Sequence, residues 1–352
     1  MSDGSMNRGG TCRSVPALAA SSRGFTMIEL MVAMLLGLIV IGGVASVFLA
    51  NQQTYRTNQA LGDVQDGSRL AFEMLAHDIR NAQLTGCNNN ARFSNVLNNG
   101  PSSGGTVDWW ANWGNALVGY GGTQTDPAVG TGTGETKRVS GTESIAVLAA
   151  ADTGMSVASH APASSSSTTS PNFTINGTGS DLQAGDVVIV CDPDHATILK
   201  LTSYTDSSKT IAYDATNNCS TGLGYPTVCV SKGTPYTFGS NALIAKLAAV
   251  DWYIGTNKLG GRSLYRGTLV NNAGALSMSA QEMVRNVTSM TITYLPSGGT
   301  SFVAPTAVTS WGAINAVQVT LNLQSADQLA GTNAKPISRT FTTTATLRNR
   351  VN

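Results

Sequence analysis

The sequence predicts an α+β protein: a long N-terminal helix packed on an antiparallel β-sheet domain that carries β-rich insertions. Three observations predict it. An apolar run of 26 residues, Phe25 to Ala50, contains one ionisable side chain, Glu29. The run passes without a turn signal into a segment that keeps helical spacing. From Cys87 onward, short alternating strands replace that period. With 352 residues the chain can bury a large core.

The apolar run comes first in the chain. At about 1.5 Å per residue it exceeds the roughly 30 Å of bilayer hydrocarbon. Arg8, Arg13 and Arg23 precede it against Asp3, and the first charge after it is Arg56. The positive-inside rule therefore places the N-terminus in the cytoplasm and residues 87–352 outside. A cleaved signal peptide carries its small-residue site after the apolar stretch. Here Ala-Leu-Ala-Ala at 17–20 lies before it, which leaves a plain signal anchor or a specialised assembly helix.

The helix then continues. Leu61, Val64, Ser68, Ala71, Phe72, Leu75, Ile79 and Ala82 share one helical face, while Arg56, Asp63, Asp66, Arg69, Glu73 and Arg80 lie mostly opposite. Phe25 to about Thr85 reads as one helix of about 90 Å with Gly86 as its stop. Gly37, Gly42, Gly43, Gly62 and Gly67 mark candidate bends. The membrane half is 25–50 and the amphipathic half 51–86.

Residues 87–352 read as one elaborated β-rich domain. Ile314–Leu323 alternates cleanly, with Val317, Val319, Leu321 and Leu323 on one face. Val187–Cys191, Ala196–Leu201, Leu247–Ile254, Met290–Leu295 and Phe341–Leu347 read as further strands. Asn88–Glu135 is loop-like and holds Trp109, Trp110 and Trp113, a cap over the core or a carbohydrate- or partner-binding platform. The Ser/Thr-rich 162–170 stretch reads as a loop or tip.

Composition narrows the chemistry. Charged residues are 12% of the chain, with 21 Lys plus Arg against 20 Asp plus Glu, so no basic field for nucleic acid exists. Three histidines (His77, His160, His195) argue against multi-histidine metal chemistry. No Gly-x-Ser-x-Gly elbow occurs, and Gly-Thr-Gly-Thr-Gly-Glu-Thr-Lys at 130–137 lacks the terminal Lys-Ser/Thr of a phosphate loop. Cys-Asp-Pro-Asp-His at 191–195 reads as a turn with a disulfide rather than a metal site, and Asp181, Asp186 or this turn as calcium ligands lack an EF-hand pattern. The expectation is a non-enzyme with no cofactor and no metal.

Arg-Gly-Phe-Thr-Met-Ile-Glu-Leu at 23–30 resembles the cleavage junction of a type IV prepilin with a class III leader, cut between Gly24 and Phe25, with Glu29 fifth in the mature chain. Glycine before the cut suits a protease that holds unwound backbone closely. The resemblance implies that prepilin peptidase removes 1–24 and methylates the amine of Phe25. It also implies that Glu29 pairs with the N-terminal charge of a neighbouring subunit; the alternative is a carboxylate snorkelling to the interface. Removing the leader discards Cys12 and leaves Cys87, Cys191, Cys219 and Cys229, an even set in an oxidising compartment. Three pairings are open, and Cys219–Cys229 with Cys87–Cys191 is preferred.

Four further patterns narrow the resemblance: His77–Cys87 (HDIRNAQLTGC), 251–267 (DWYIG…RSLYRG), 282–295 (EMVRNVTSMTITYL) and 341–350 (FTTTATLRNR). These are similar to PilW-type minor pilins. That implies an inner-membrane, single-pass subunit that joins the pilus and serves twitching motility by initiating or capping the filament. Implied partners are other minor pilins, the major pilin, prepilin peptidase, the inner-membrane assembly platform and a tip adhesin, with no nucleic acid. A J-type pseudopilin of type II secretion shares the helix and the Leu-Tyr-Arg and closing-strand patterns. A pilus-tip adhesin using the tryptophans or the Ser/Thr-rich loop is the binding-module reading.

Overall fold

The computed structural model describes residues 24–88, 91–163, 170–177 and 182–350. Residues 1–23 of the leader, with Arg8, Arg13, Arg23 and Cys12, lie outside the described residues, as do Asp181 and most of the Ser/Thr-rich stretch. The class is α+β. Helix α1 (Met27–Arg80) runs 54 residues, and the described chain divides after Tyr55 into two compact units.

The first unit is helix. Its large apolar side chains are exposed, from Phe25 (79%) to Leu49. Hydroxyls along it fold back onto the helix: Ser46 donates to the Gly43 carbonyl at 2.8 Å and Thr54 to the Ala50 carbonyl at 2.9 Å. That satisfies them without water, as a bilayer requires. The helix is unbroken through Gly37, Gly42 and Gly43, the candidate bends. Flanking Leu, Met and Ala offset the roughly 1 kcal/mol each glycine costs.

The second unit carries the amphipathic half of α1 and all the strands. Ala60, Val64, Ser68, Ala71, Leu75, Ala76 and Ile79 are buried, while Asp63, Asp66, Arg69, Glu73 and Arg80 are exposed. The helix stops five residues before the expected Thr85. Asn81 and Ala82 tighten into short turns, and Gln83 adopts the left-handed conformation (φ 64°). The Gln83 N–H bonds the Leu148 carbonyl at 2.8 Å. A sheet contact, not Gly86, terminates the helix.

The strands follow in order: β1 (Arg92–Asn95), β2 (Leu117–Tyr120), β3 (Ser144–Ala161), β4 (Asn172–Asn176), β5 (Val187–Cys191), β6 (His195–Lys200), β7 (Ser203–Thr205) and β8 (Thr210–Ala212). Then come β9 (Leu243–Thr256), β10 (Arg262–Asn272), β11 (Ala275–Arg285), β12 (Val287–Pro296), β13 (Ile314–Gln324) and β14 (Ser338–Thr346). Eleven strands form one sheet, in which β10 joins β9 and β2 joins β3 beside the main path β1-β6-β5-β9-β3-β4-β8-β7. A second sheet has the order β12-β13-β14. Pairing is antiparallel apart from β1 on β6.

Three large buried clusters fill this unit, with a small fourth at Ala60, Ala330 and Ile337. The largest joins α1 (Val64, Ala71, Leu75, Ile79) to Trp252 and Leu264 and to the inner faces of β12 and β13 (Ile292, Val319, Leu321). A second gathers Phe173, Tyr213 and Phe238 around β3 to β8. The third packs Trp113, Leu97 and Ile198 under the segment before β2. The Asn88–Glu135 stretch, expected to be loop, contains β1, β2 and two short 3-10 turns among its described residues. At Gly119 an added Cβ would collide with the Tyr294 ring, so only glycine lets β2 lie on β12.

Candidate functional site

Gly24, Phe25 and Thr26 precede the first turn of α1. Thr26 caps the helix: its carbonyl and its Oγ1 both accept from the Glu29 N–H, at 3.1 and 3.3 Å. Glu29 thus occupies the third helical position, where the amides of the first turn favour negative charge. Its carboxylate has no partner among the described residues, and the residue is exposed. Sequence reading missed Thr26; the signal was there as Thr-x-x-Glu, the capping-box pattern.

The other end of α1 gathers three of the four sequence patterns. Asp78, from HDIRNAQ, accepts from the indole N–H of Trp252 at 2.9 Å and from Arg266 Nε at 2.8 Å. Trp252 belongs to DWYIG on β9 and Arg266 to LYRG on β10, paired directly across the sheet. The guanidinium also lies 5.9 Å over the indole. Gln83 meets the closing segment: Arg350 donates to its Oε1 at 2.7 Å and to the Trp311 carbonyl at 2.8 Å. Burial pushes the Arg350 guanidinium below its usual range. The fourth pattern supplies β12 and the buried Val284, Met290, Ile292 and Tyr294. These residues fasten the amphipathic helix to the sheets.

The structure pairs Cys87 with Cys191 and Cys219 with Cys229. The first bridge joins the segment after α1 to the end of β5. The Cys-Asp-Pro-Asp-His segment is a turn in which the Asp192 and His195 side chains are engaged. Asp192 Oδ1 accepts from the Asp194 and His195 amides at 3.0 and 2.8 Å, and its Oδ2 accepts from the Tyr236 hydroxyl at 2.7 Å. His195 Nε2 lies 2.7 Å from the Leu223 carbonyl. Asp186 is buried against Lys246 at 2.9 Å. Among the described residues no three His, Cys, Asp or Glu side chains converge as metal ligands.

Two other buried groups escaped sequence reading. Asp251 is wholly buried beside Asp126; burial first and that carboxylate second raise its carboxyl well above the usual range. Arg138, also buried, donates to Ser144 Oγ at 2.9 Å and to the Gln124 carbonyl. His160 Nδ1 accepts the Phe238 amide at 3.1 Å, which leaves Nε2 to donate to the Tyr213 hydroxyl at 2.8 Å. Burial lowers the His160 pKa to about 4. The tryptophans divide: Trp113 is 3% exposed and stacks on Phe93, while Trp109 and Trp110 are half-buried.

Residues 20–45 match the family profile described as the prokaryotic N-terminal methylation motif. No curated protein matches the chain. The motif supports a type IV pilin-like protein, and with the apolar helix it fits a membrane-anchored one. Its span includes Gly24, Phe25 and Glu29 and stops well short of the β-rich unit.

Proposed function

We propose that the chain is a PilW-type minor pilin that initiates or caps a type IV pilus with other minor pilins. The observation that carries the reading is the unpartnered Glu29 carboxylate, one turn inside a bare apolar helix within the methylation motif. Cleavage after Gly24 exposes the Phe25 amine at the positive end of the helix dipole, where it gains most from a carboxylate. In hydrocarbon, an unmatched carboxylate costs about 2.5–3.5 kcal/mol even on lenient scales. Pairing one subunit's Phe25 amine with its neighbour's Glu29 removes both costs and fixes the axial register. In this reading the helix crosses the inner membrane with residues 87–352 in the periplasm until assembly. Prepilin peptidase, the major pilin and the assembly platform are its working partners.

Glu29→Leu tests this. The variant should insert as well as the parent or better, since the helix becomes more apolar. Pilus number and twitching should collapse, while Arg69→Ala on the exposed face of α1 leaves both near the parental level. Normal pili in Glu29→Leu cells would contradict the charge pairing. Lost type II secretion with twitching intact would assign the chain to the J-type pseudopilins instead.

A further inference from the structure

Beside the short 3-10 turn at Trp109–Ala111, a cavity of about 540 Å³ opens between the segment after β1, the end of β6 and the β10–β11 turn. Trp110 and Leu276 form an apolar part of its wall and pack on the third buried cluster behind it. Leu97 and Ala275 add to the apolar part, and the polar lining is Asn98, Asn99, Asp108, Lys200, Thr216 and Asn217.

These groups are held but not used up. Asn99 Nδ2 donates to Asp108 Oδ2 at 2.7 Å, and Asn98 Nδ2 donates to the Thr216 carbonyl at 2.6 Å. Lys200 Nζ reaches the Gly274 carbonyl at 3.3 Å. Buried Asn218 fixes the Lys200 backbone from both sides, accepting its N–H at 2.7 Å and donating to its carbonyl at 2.9 Å. Among the described residues, the other Asp108 oxygen, both Asn side-chain oxygens and the Trp110 indole N–H have no partner. Two Lys200 ammonium hydrogens are also unclaimed.

Donors and acceptors with capacity to spare therefore line the same cavity as the Trp110 indole. The lining carries one acidic and one basic side chain, so it offers no excess positive charge for a phosphate or nucleotide. Hydroxyls, which donate and accept at once, match amides and a carboxylate that line the same space. The indole suits the apolar C–H face of a sugar ring. The volume falls in the range of ligand sites. We propose that this cavity is a saccharide-binding site for one or two pyranose rings of a neutral glycan. Trp110 lies against the ring, and Asp108, Asn98, Asn99 and Lys200 bind its hydroxyls. This goes beyond the filament reading and stands or falls separately from it.

The test uses the mature full-length protein in a detergent without a sugar headgroup. Glucose, galactose, mannose, N-acetylglucosamine and N-acetylgalactosamine are titrated by tryptophan fluorescence and ligand-observed NMR. At least one should bind detectably at about 10 mM, well above the Kd of a millimolar ligand. Trp110→Ala and Asp108→Ala should each weaken it by about tenfold or more, with the unfolding midpoint retained. Asn98→Ala, at an exposed position, gives the same reading should either of those fail to fold. No binding by any of the five sugars, or binding that these variants leave intact, would overturn the proposal.

Discussion

The two halves of α1 share one backbone and opposite fates for their apolar side chains. Leu36, at 56% exposure, touches no buried cluster, whereas Leu75, at 0%, sits in the largest one. The half up to Tyr55 uses bulky Leu, Met, Val and Ile all round. The later half confines its apolar residues to one face and uses small ones there (Ala60, Ser68, Ala71, Ala76) so that strands approach closely. A helix that is apolar on every side needs a non-aqueous environment; one that is apolar on a stripe needs a sheet. The same element therefore presents a bare apolar surface first and a domain core second.

The sharpest way to break that contrast is to shorten one leucine in each half. Leu75→Ala should destabilise the β-rich unit by about 2–5 kcal/mol, the usual cost of a core cavity. Leu36→Ala should leave the denaturant midpoint of the detergent-solubilised protein unchanged. Equal effects would mean that the first half is also part of the core.

Asp78→Ala probes the fastening at the helix end and should cost about 3 kcal/mol in the same unfolding experiment. The loss comes from stranding the Trp252 N–H and the Arg266 guanidinium, both largely out of water. Asp78→Asn should recover part of it by still accepting the indole hydrogen bond. A loss no larger than that of a surface pair such as Arg69–Glu73 would remove this node from the account.

The smallest expected effect concerns pH and only the β-rich unit. The folded pKa of His160, about 4, lies below its ordinary 6.5. The neutral imidazole is therefore the form the fold stabilises. That contribution is complete above about pH 6.5 and is lost as pH falls toward 4, roughly 2 kcal/mol after allowing for solvent screening. Burial lowers His195 as well, so it adds to the same slope. His160→Gln, which keeps an acceptor for the Phe238 amide, should flatten stability between pH 6.5 and 4. A parental slope in that variant would shift the acid sensitivity to other groups.

Legibility followed the strength of local pattern. The phase of the amphipathic helix and strands β5, β6, β9 and β12–β14 were readable because alternation or helical period persisted over several residues. Strand β3 was not. Its 18 residues include Ala149, Ala150, Ala151, Asp152 and Gly154, which carry little β-propensity and are held by pairing with β9. The β10–β11 hairpin hid behind an Ala273-Gly274 turn, with both residues at positive φ, where Asn-Gly would have announced it. At the candidate site, Gly24, Phe25 and Glu29 fall within six residues, a span that local pattern covers. The Asp78–Trp252–Arg266 node joins residues 174 and 188 positions apart, which periodicity cannot couple.

The claim that the first half of α1 is built for other subunits rests on processing that frees Phe25. Intact-mass and N-terminal peptide mass spectrometry of the protein from cells with active prepilin peptidase measures this directly. The account predicts a chain beginning at N-methylated Phe25, and a retained leader in Gly24→Val. A wild-type chain that keeps residues 1–24, or begins elsewhere, would contradict it.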